Sequence, residues 1–168
     1  MYIPFENLAD HSRIWIYQAD RLLSADEIDD IQKSGRQFVT EWTAHQNTLH
    51  ASFTVLHSLF LVLAVDESVN DASGCSIDKS VHFVQGMEKK WGVGFFNRLN
   101  VAYRCNEISD IKPLKEFISQ YKELSSTTSL KVFNNLLTYK EELHTKWLCD
   151  VGDSWIAGRL KSAMNKQA

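Results

Sequence analysis

Apolar positions along the first hundred residues switch between a period of two and a period near 3.6, and each switch predicts an element. Arg13 to Gln18 (RIWIYQ) is a short run rich in β-formers and predicts a strand. Ser24 and Glu27 then stand at capping-box spacing, in which each side chain satisfies a backbone donor of the other residue. Asp26, Glu27, Asp29 and Asp30 place acid in the first turns, where the helix dipole favours it. Ile28, Ile31, Phe38, Val39 and Trp42 fall on one face of this helix, with Gly35 between them. Ala51 to His57 sets Ala51, Phe53 and Val55 against Ser52, Thr54 and Leu56. Leu59 to Val65 follows almost at once, so the two runs predict a hairpin. A loop from Asp66 to Cys75 leads to a second helix, for which Ser76 is the expected N-cap and Asp78 a first-turn acid. Ile77, Val81, Val84, Met87 and Trp91 form its core face. After a turn at Gly92 and Gly94, Leu99 to Arg104 (LNVAYR) predicts another strand.

Strand, helix, strand, strand, helix, strand is the ferredoxin-like βαββαβ order. It predicts an α+β fold with a four-stranded antiparallel sheet and both helices on one face. Residues 13–105 form that core, residues 106–168 a mainly helical C-terminal elaboration, and the whole is one domain. One detail strains a two-layer picture. Leu59, Leu61, Leu63 and Val65 face one way and Phe60, Val62 and Ala64 the other, so both faces of this strand are apolar. A two-layer fold leaves one sheet face polar. The second face therefore needs a cover, either residues 105 to 168 or a homodimer interface. In that tail Pro113 to Leu124 predicts a helix with proline in its first turn. Leu130, Val132 and Phe133 suggest a short strand within the ambiguous stretch from Thr128 to Leu137. Thr138 and Glu141 repeat the capping-box spacing ahead of a helix through Leu148, and Asp153 or Ser154 is positioned to cap a last helix through Leu160.

Composition narrows the function classes. An apolar content of 44% over 168 residues excludes a disordered chain. A net charge of −3 and a pI near 6.1 offer no basic field for nucleic acid or an anionic membrane. The N-terminal residues lack the basic and apolar regions of a secretory signal, and Leu59 to Val65 is too short to span a bilayer, which takes roughly 20 residues. Cys75, Cys105 and Cys149 are odd in number, widely spaced and without a CxxC pair, which suits free thiols in the cytoplasm. Trp15 and Tyr17 sit where RNA-recognition domains place stacking aromatics, but LFLVLAV lacks the basic and aromatic partner pattern. They are expected instead to be core beneath the C-terminal residues.

Candidate chemistry concentrates in VDESVNDASGCSIDKSVHF, where a buried strand passes through a loop into a helix. Unpaired amides at a helix N-terminus attract anions, and the same dipole favours a thiolate. Asp66, Glu67, Ser73, Gly74, Cys75 and Ser76 are thus candidate ligand-binding residues. The predicted topology brings the His45 to His50 loop to the same sheet end. Cys75 with His45 or His50 could form a thiol–histidine pair, and Asp66, Glu67 and a histidine a metal site. The alternatives are packing for Cys75, loop capping for Asp66 and Glu67, and solvation for His45 and His50. Cys75, Lys79, His82 and Gly86 share a helix stripe opposite the core face, so His82 is read as solvated. No P-loop, GxGxxG, HExxH, GxSxG or CxxC occurs, and no cofactor or metal is assigned.

The segments AVDES, ASGCSIDKSVHF, VFNN and DSW resemble those of a family of small uncharacterised bacterial proteins, over Arg13 to about Trp155. Some members carry an automatic label of ABC transporter ATPase. The resemblance implies no activity, and without a P-loop or an LSGGQ-type signature nothing here would cradle a nucleoside triphosphate. The reading drawn from the residues is a non-catalytic domain that binds a small molecule, an anion or a protein partner, as a homodimer in one version. The alternative is a thiol-dependent enzyme using Cys75.

Overall fold

The capping box at Ser24 forms as the spacing requires. The Ser24 hydroxyl accepts from the Glu27 backbone N–H at 3.4 Å, and Glu27 Oε2 accepts from the Ser24 N–H at 2.8 Å. Arg21 adds two hydrogen bonds to the same carboxylate, at 2.6 and 2.9 Å. In this computed structural model, which describes residues 1–44, 47–126 and 129–165, the helix so started is α1 (Ala25–Glu41). It follows β1 (Arg13–Gln18) and precedes the two-residue strands β2 (Thr43–Ala44) and β3 (Asn47–Thr48). The predicted hairpin is β4 (Ala51–Leu56) and β5 (Phe60–Val65), and the second helix is α2 (Gly74–Trp91). Then come β6 (Asn100–Cys105), β7 (Ile108–Pro113), α3 (Leu114–Ser125), β8 (Leu130–Phe133), the single turn α4 (Glu142–Thr145), β9 (Leu148–Asp150) and α5 (Ala157–Asn165).

The fold is α+β with antiparallel sheets, but the four-stranded sheet expected of a ferredoxin-like unit is not formed. The first sheet has the order β1-β5-β4, with β5 antiparallel to both neighbours. Its fourth strand is missing from the β1 edge. Leu99 to Arg104 does extend, as β6, but it pairs with β7 and β8 in a second sheet of order β7-β6-β8-β9. The reason is local. A tight turn at Asn106, whose φ is 55°, returns the chain directly as β7, with Cys105 opposite Ile108. Asparagine tolerates that left-handed backbone better than most residues. The neighbouring strand thus closes a very short loop, whereas pairing with β1 would close one of some eighty residues.

The two sheets stack face to face. Trp42, Ile31, Phe53, Leu61, Leu63 and Val84 fill the layer between the first sheet and α1 and α2. Leu59, Phe60, Val62 and Ala64 pack on Ala102, Phe133 and Trp147 between the sheets. Val101, Tyr103 and Val132 meet Phe117 of α3 and Leu160 of α5 beyond. The apolar second face of β5 is therefore covered, and all six β5 residues are buried. The cover differs from the expected helical elaboration: β7, β8 and β9 supply much of it, and β6 joins them.

Three further expectations are corrected. Trp15 and Tyr17 pack on the helical side, Trp15 edge-on to Trp42, so they do not lie beneath the C-terminal residues. The stretch from Thr138 to Leu148 forms one helical turn and the start of β9. There Glu142, rather than Glu141, accepts the Thr138 and Tyr139 N–H groups, at 2.9 and 3.0 Å. The α2 N-cap is Ser73, not Ser76, and no acid lies in the first turn. Among the described residues no helix is long and apolar enough to cross a membrane.

Candidate functional site

The polar groups of the loop before α2 are engaged with one another. Asp66 Oδ1 accepts from the Ser68 N–H at 3.0 Å and the Ser68 hydroxyl at 2.6 Å, and lies 3.3 Å from His11 Nε2. The Ser68 hydroxyl, chiefly, holds the Asp66 carboxyl below its usual range. Glu67 Oε1 accepts from the Ala72 N–H at 3.2 Å and from Arg13 Nη1 at 3.4 Å. Ser73 Oγ accepts from the Ser76 N–H, and the buried Ser76 hydroxyl donates to the Ser73 carbonyl at 2.7 Å. Gly74 and Cys75 are exposed as the first two residues of α2.

His50 meets this loop through its backbone, its carbonyl accepting from the Asp66 N–H at 2.9 Å. His45 lies outside the described residues. Among the described residues no side chain bonds to the Cys75 thiol. Among the described residues no group of three or more His, Cys, Asp or Glu is placed to hold a metal ion. Cys75, Lys79, His82 and Gly86 are all exposed, as their shared stripe requires.

A different feature stands out at the edges of the first sheet. Ala19 N–H donates to the Leu59 carbonyl, so odd-numbered residues of β1 bond β5 and even-numbered ones turn their backbone groups outward. On the far edge four of the six outward groups of Ala51, Phe53 and Val55 in β4 are taken. Met1 and Ile3 bond Ala51, while the Gln32 side chain donates to the Phe53 carbonyl and accepts from the Val55 N–H at 3.0 Å. On the β1 edge only the ends are tied. Thr138 accepts from the Ile14 N–H, and Gly94 accepts from the N–H of Asp20 just past the strand. Between them the Ile14 carbonyl, both backbone groups of Ile16 and the Gln18 N–H have no protein partner among the described residues.

That open stretch lines a cleft of about 710 Å3, within the range of ligand pockets, roughly 300–1,000 Å3. It runs along the side of β1 where Leu99 to Arg104 was expected to pair. Ile77 and Val81 of α2, which a fourth strand would have covered, form one wall. Residues 95–102 and Phe133, Asn135, Leu136 and Leu137 form the others, with Trp155 and Arg159 at the mouth. Phe96, Leu99 and Leu136 rim it, and Leu136 is 78% exposed. A chain of amides fixes one end. Gln18 Nε2 donates to the Asn100 carbonyl at 3.0 Å, Asn135 Nδ2 to Gln18 Oε1 at 2.7 Å, and Trp147 Nε1 to Asn135 Oδ1 at 3.1 Å. Arg98 and Arg159 are the charged residues of the lining, no carboxylate lies among it, and neither arginine is ion-paired within the described residues.

Among the described residues none of the candidate ligand-binding or thiol-site residues lines this cleft, whereas Trp15 and Tyr17 do. It arises from strand pairing, which is non-local. The sequence signal nearest to it is RIWIYQ, an edge strand whose central residues carry neither a lysine nor a proline to blunt it. Compared with protein-family models, curated proteins and solved structures, the chain matches none.

Proposed function

We propose that the protein is a binding module whose ligand lies in the cleft beside β1, and that this ligand is apolar with one anionic group. The observation that supports this is the lining itself: an apolar recess with fixed amides at one end and two arginines that no carboxylate among the described residues pairs, Arg159 lying over the Trp155 ring. Burial of apolar surface supplies the driving force, and a carboxylate or sulfonate would find a cation without meeting a like charge. Trp15 and Trp155 line the recess and would report occupancy.

The probe for this is anilinonaphthalene sulfonate, an apolar fluorescent anion. The folded protein is expected to bind it saturably at one site. Leu136→Asp and Arg159→Glu are expected to weaken it at least about tenfold, since each removes roughly the 1.4 kcal/mol of a good contact or charge-assisted bond. Ile108, exposed on the β6–β7 hairpin away from the cleft, serves as control: Ile108→Asp leaves binding unchanged. Binding that ignores the cleft substitutions, or no binding, would overturn the proposal.

A further inference from the structure

We infer that the natural occupant of the cleft is an extended polypeptide segment of a partner protein, which adds as a strand to the open edge of β1. The inference rests on the cleft being the binding site and goes further by naming the ligand class. Its ground is the spacing of the open backbone groups. The Ile14 carbonyl, the Ile16 N–H and carbonyl and the Gln18 N–H alternate along one edge, the pattern an antiparallel strand satisfies. One peptide residue exchanges both bonds with Ile16. The peptide residue two positions before it reaches the Gln18 N–H, and Thr138, already opposite Ile14, marks where the added strand ends. Side chains of the added strand alternate between Val81 on the α2 side and Ala102 and Leu137 on the side of the second sheet. Arg98 and Arg159 favour a segment that carries an acidic residue or ends in its carboxylate.

A second copy of this chain is a poorer occupant. Its own β1 edge lies at the bottom of the same recess, between α2 and residues 95–102, and two recessed edges cannot meet. A flat, apolar, unblunted edge strand is ordinarily covered or blunted. Here Met1, Ile3 and Gln32 take four of the six outward groups of the opposite edge, while both backbone groups of Ile16 in the middle of β1 are left open.

The experiment selects short random peptides displayed on phage against the full chain, then synthesises the best binder and a set in which each backbone nitrogen in turn is methylated. Ligand-side methylation leaves the folding of the protein untouched. The expected result is competition with anilinonaphthalene sulfonate and a period-two pattern. Methylation at alternate positions lowers affinity at least about tenfold, and at the intervening positions leaves it within about threefold. Amide exchange at Ile16 and Gln18 slows in the complex. Selection that yields no competing peptide, a methylation scan without alternation, or an edge filled by a second copy in sedimentation would overturn the strand-addition model. In the first two cases the fluorescent anion still reports separately whether the cleft binds at all.

Discussion

Glu27 shows how much one side chain holds in place. It closes the capping box of α1 and receives Arg21, and the Arg21 hydrogen bonds foremost lower its pKa from 4.5 to about 2. A carboxyl whose folded pKa is depressed contributes stability above its unfolded pKa and loses it as pH falls towards the folded value. Denaturant midpoints should therefore drop as pH falls from about 4.5 towards about 2, and Glu27→Gln should flatten that part of the profile. His57 acts at higher pH. Partial desolvation by Phe60, Phe133 and Trp147, and then the Arg104 guanidinium 2.9 Å from Nδ1, push the pKa of this exposed imidazole below 6.5. The unfolded chain then binds the proton more readily, so stability falls as pH drops through about 6.5, and His57→Gln should remove that step. The Ser24–Glu27 pairing was legible because a capping box is local. The Arg104 partner of His57 was not, because the two lie 47 residues apart.

At the scale of elements, α1 approaches β4 so closely that a methyl on Gly35 would overlap the Phe53 ring. Gly35→Ala should cost about 1–3 kcal/mol in urea unfolding, the usual range for overpacking. Gly86, on the exposed stripe of α2, has open space around it, and Gly86→Ala should stabilise by about 0.5–1 kcal/mol. The opposite signs would separate close packing from helix propensity. The elements β1, α1, β4, β5 and α2 were legible because their periodicity is strong and their faces unambiguous. β7 was not: ISDIKP is half polar, and its residues lie half-buried or exposed at the sheet edge. β9 was hidden by capping-like spacing ahead of it, since Thr138 and Glu141 mimic a helix start that Glu142 in fact makes as a single turn.

At the scale of the whole molecule, the excess apolar surface of β5 correctly demanded a cover, and a second sheet provides it. The motive for a homodimer through that face is gone. Sedimentation should accordingly give the mass of one chain, 19.3 kDa, and a stable dimer would mean an apolar surface other than the inter-sheet face is paired. The cleft was not legible, because it exists only through where β6 goes. Pattern marks Leu99 to Arg104 as a strand but says nothing of its partner, and the choice between β1 and β7 decides whether the β1 edge is open. In the loop from Asp66 to Ser76 the residue types were legible, but His11 beside Asp66 and Arg13 beside Glu67 were not, because each lies more than fifty residues from its partner. The most direct measurement is an amide and indole correlation spectrum of labelled protein titrated with anilinonaphthalene sulfonate. Binding in the cleft predicts shifts concentrated at Ile14 to Gln18, residues 95–102, Leu136 and the Trp15 and Trp155 indoles; shifts centred instead on Asp66 to Ser76, or scattered without a centre, would contradict it.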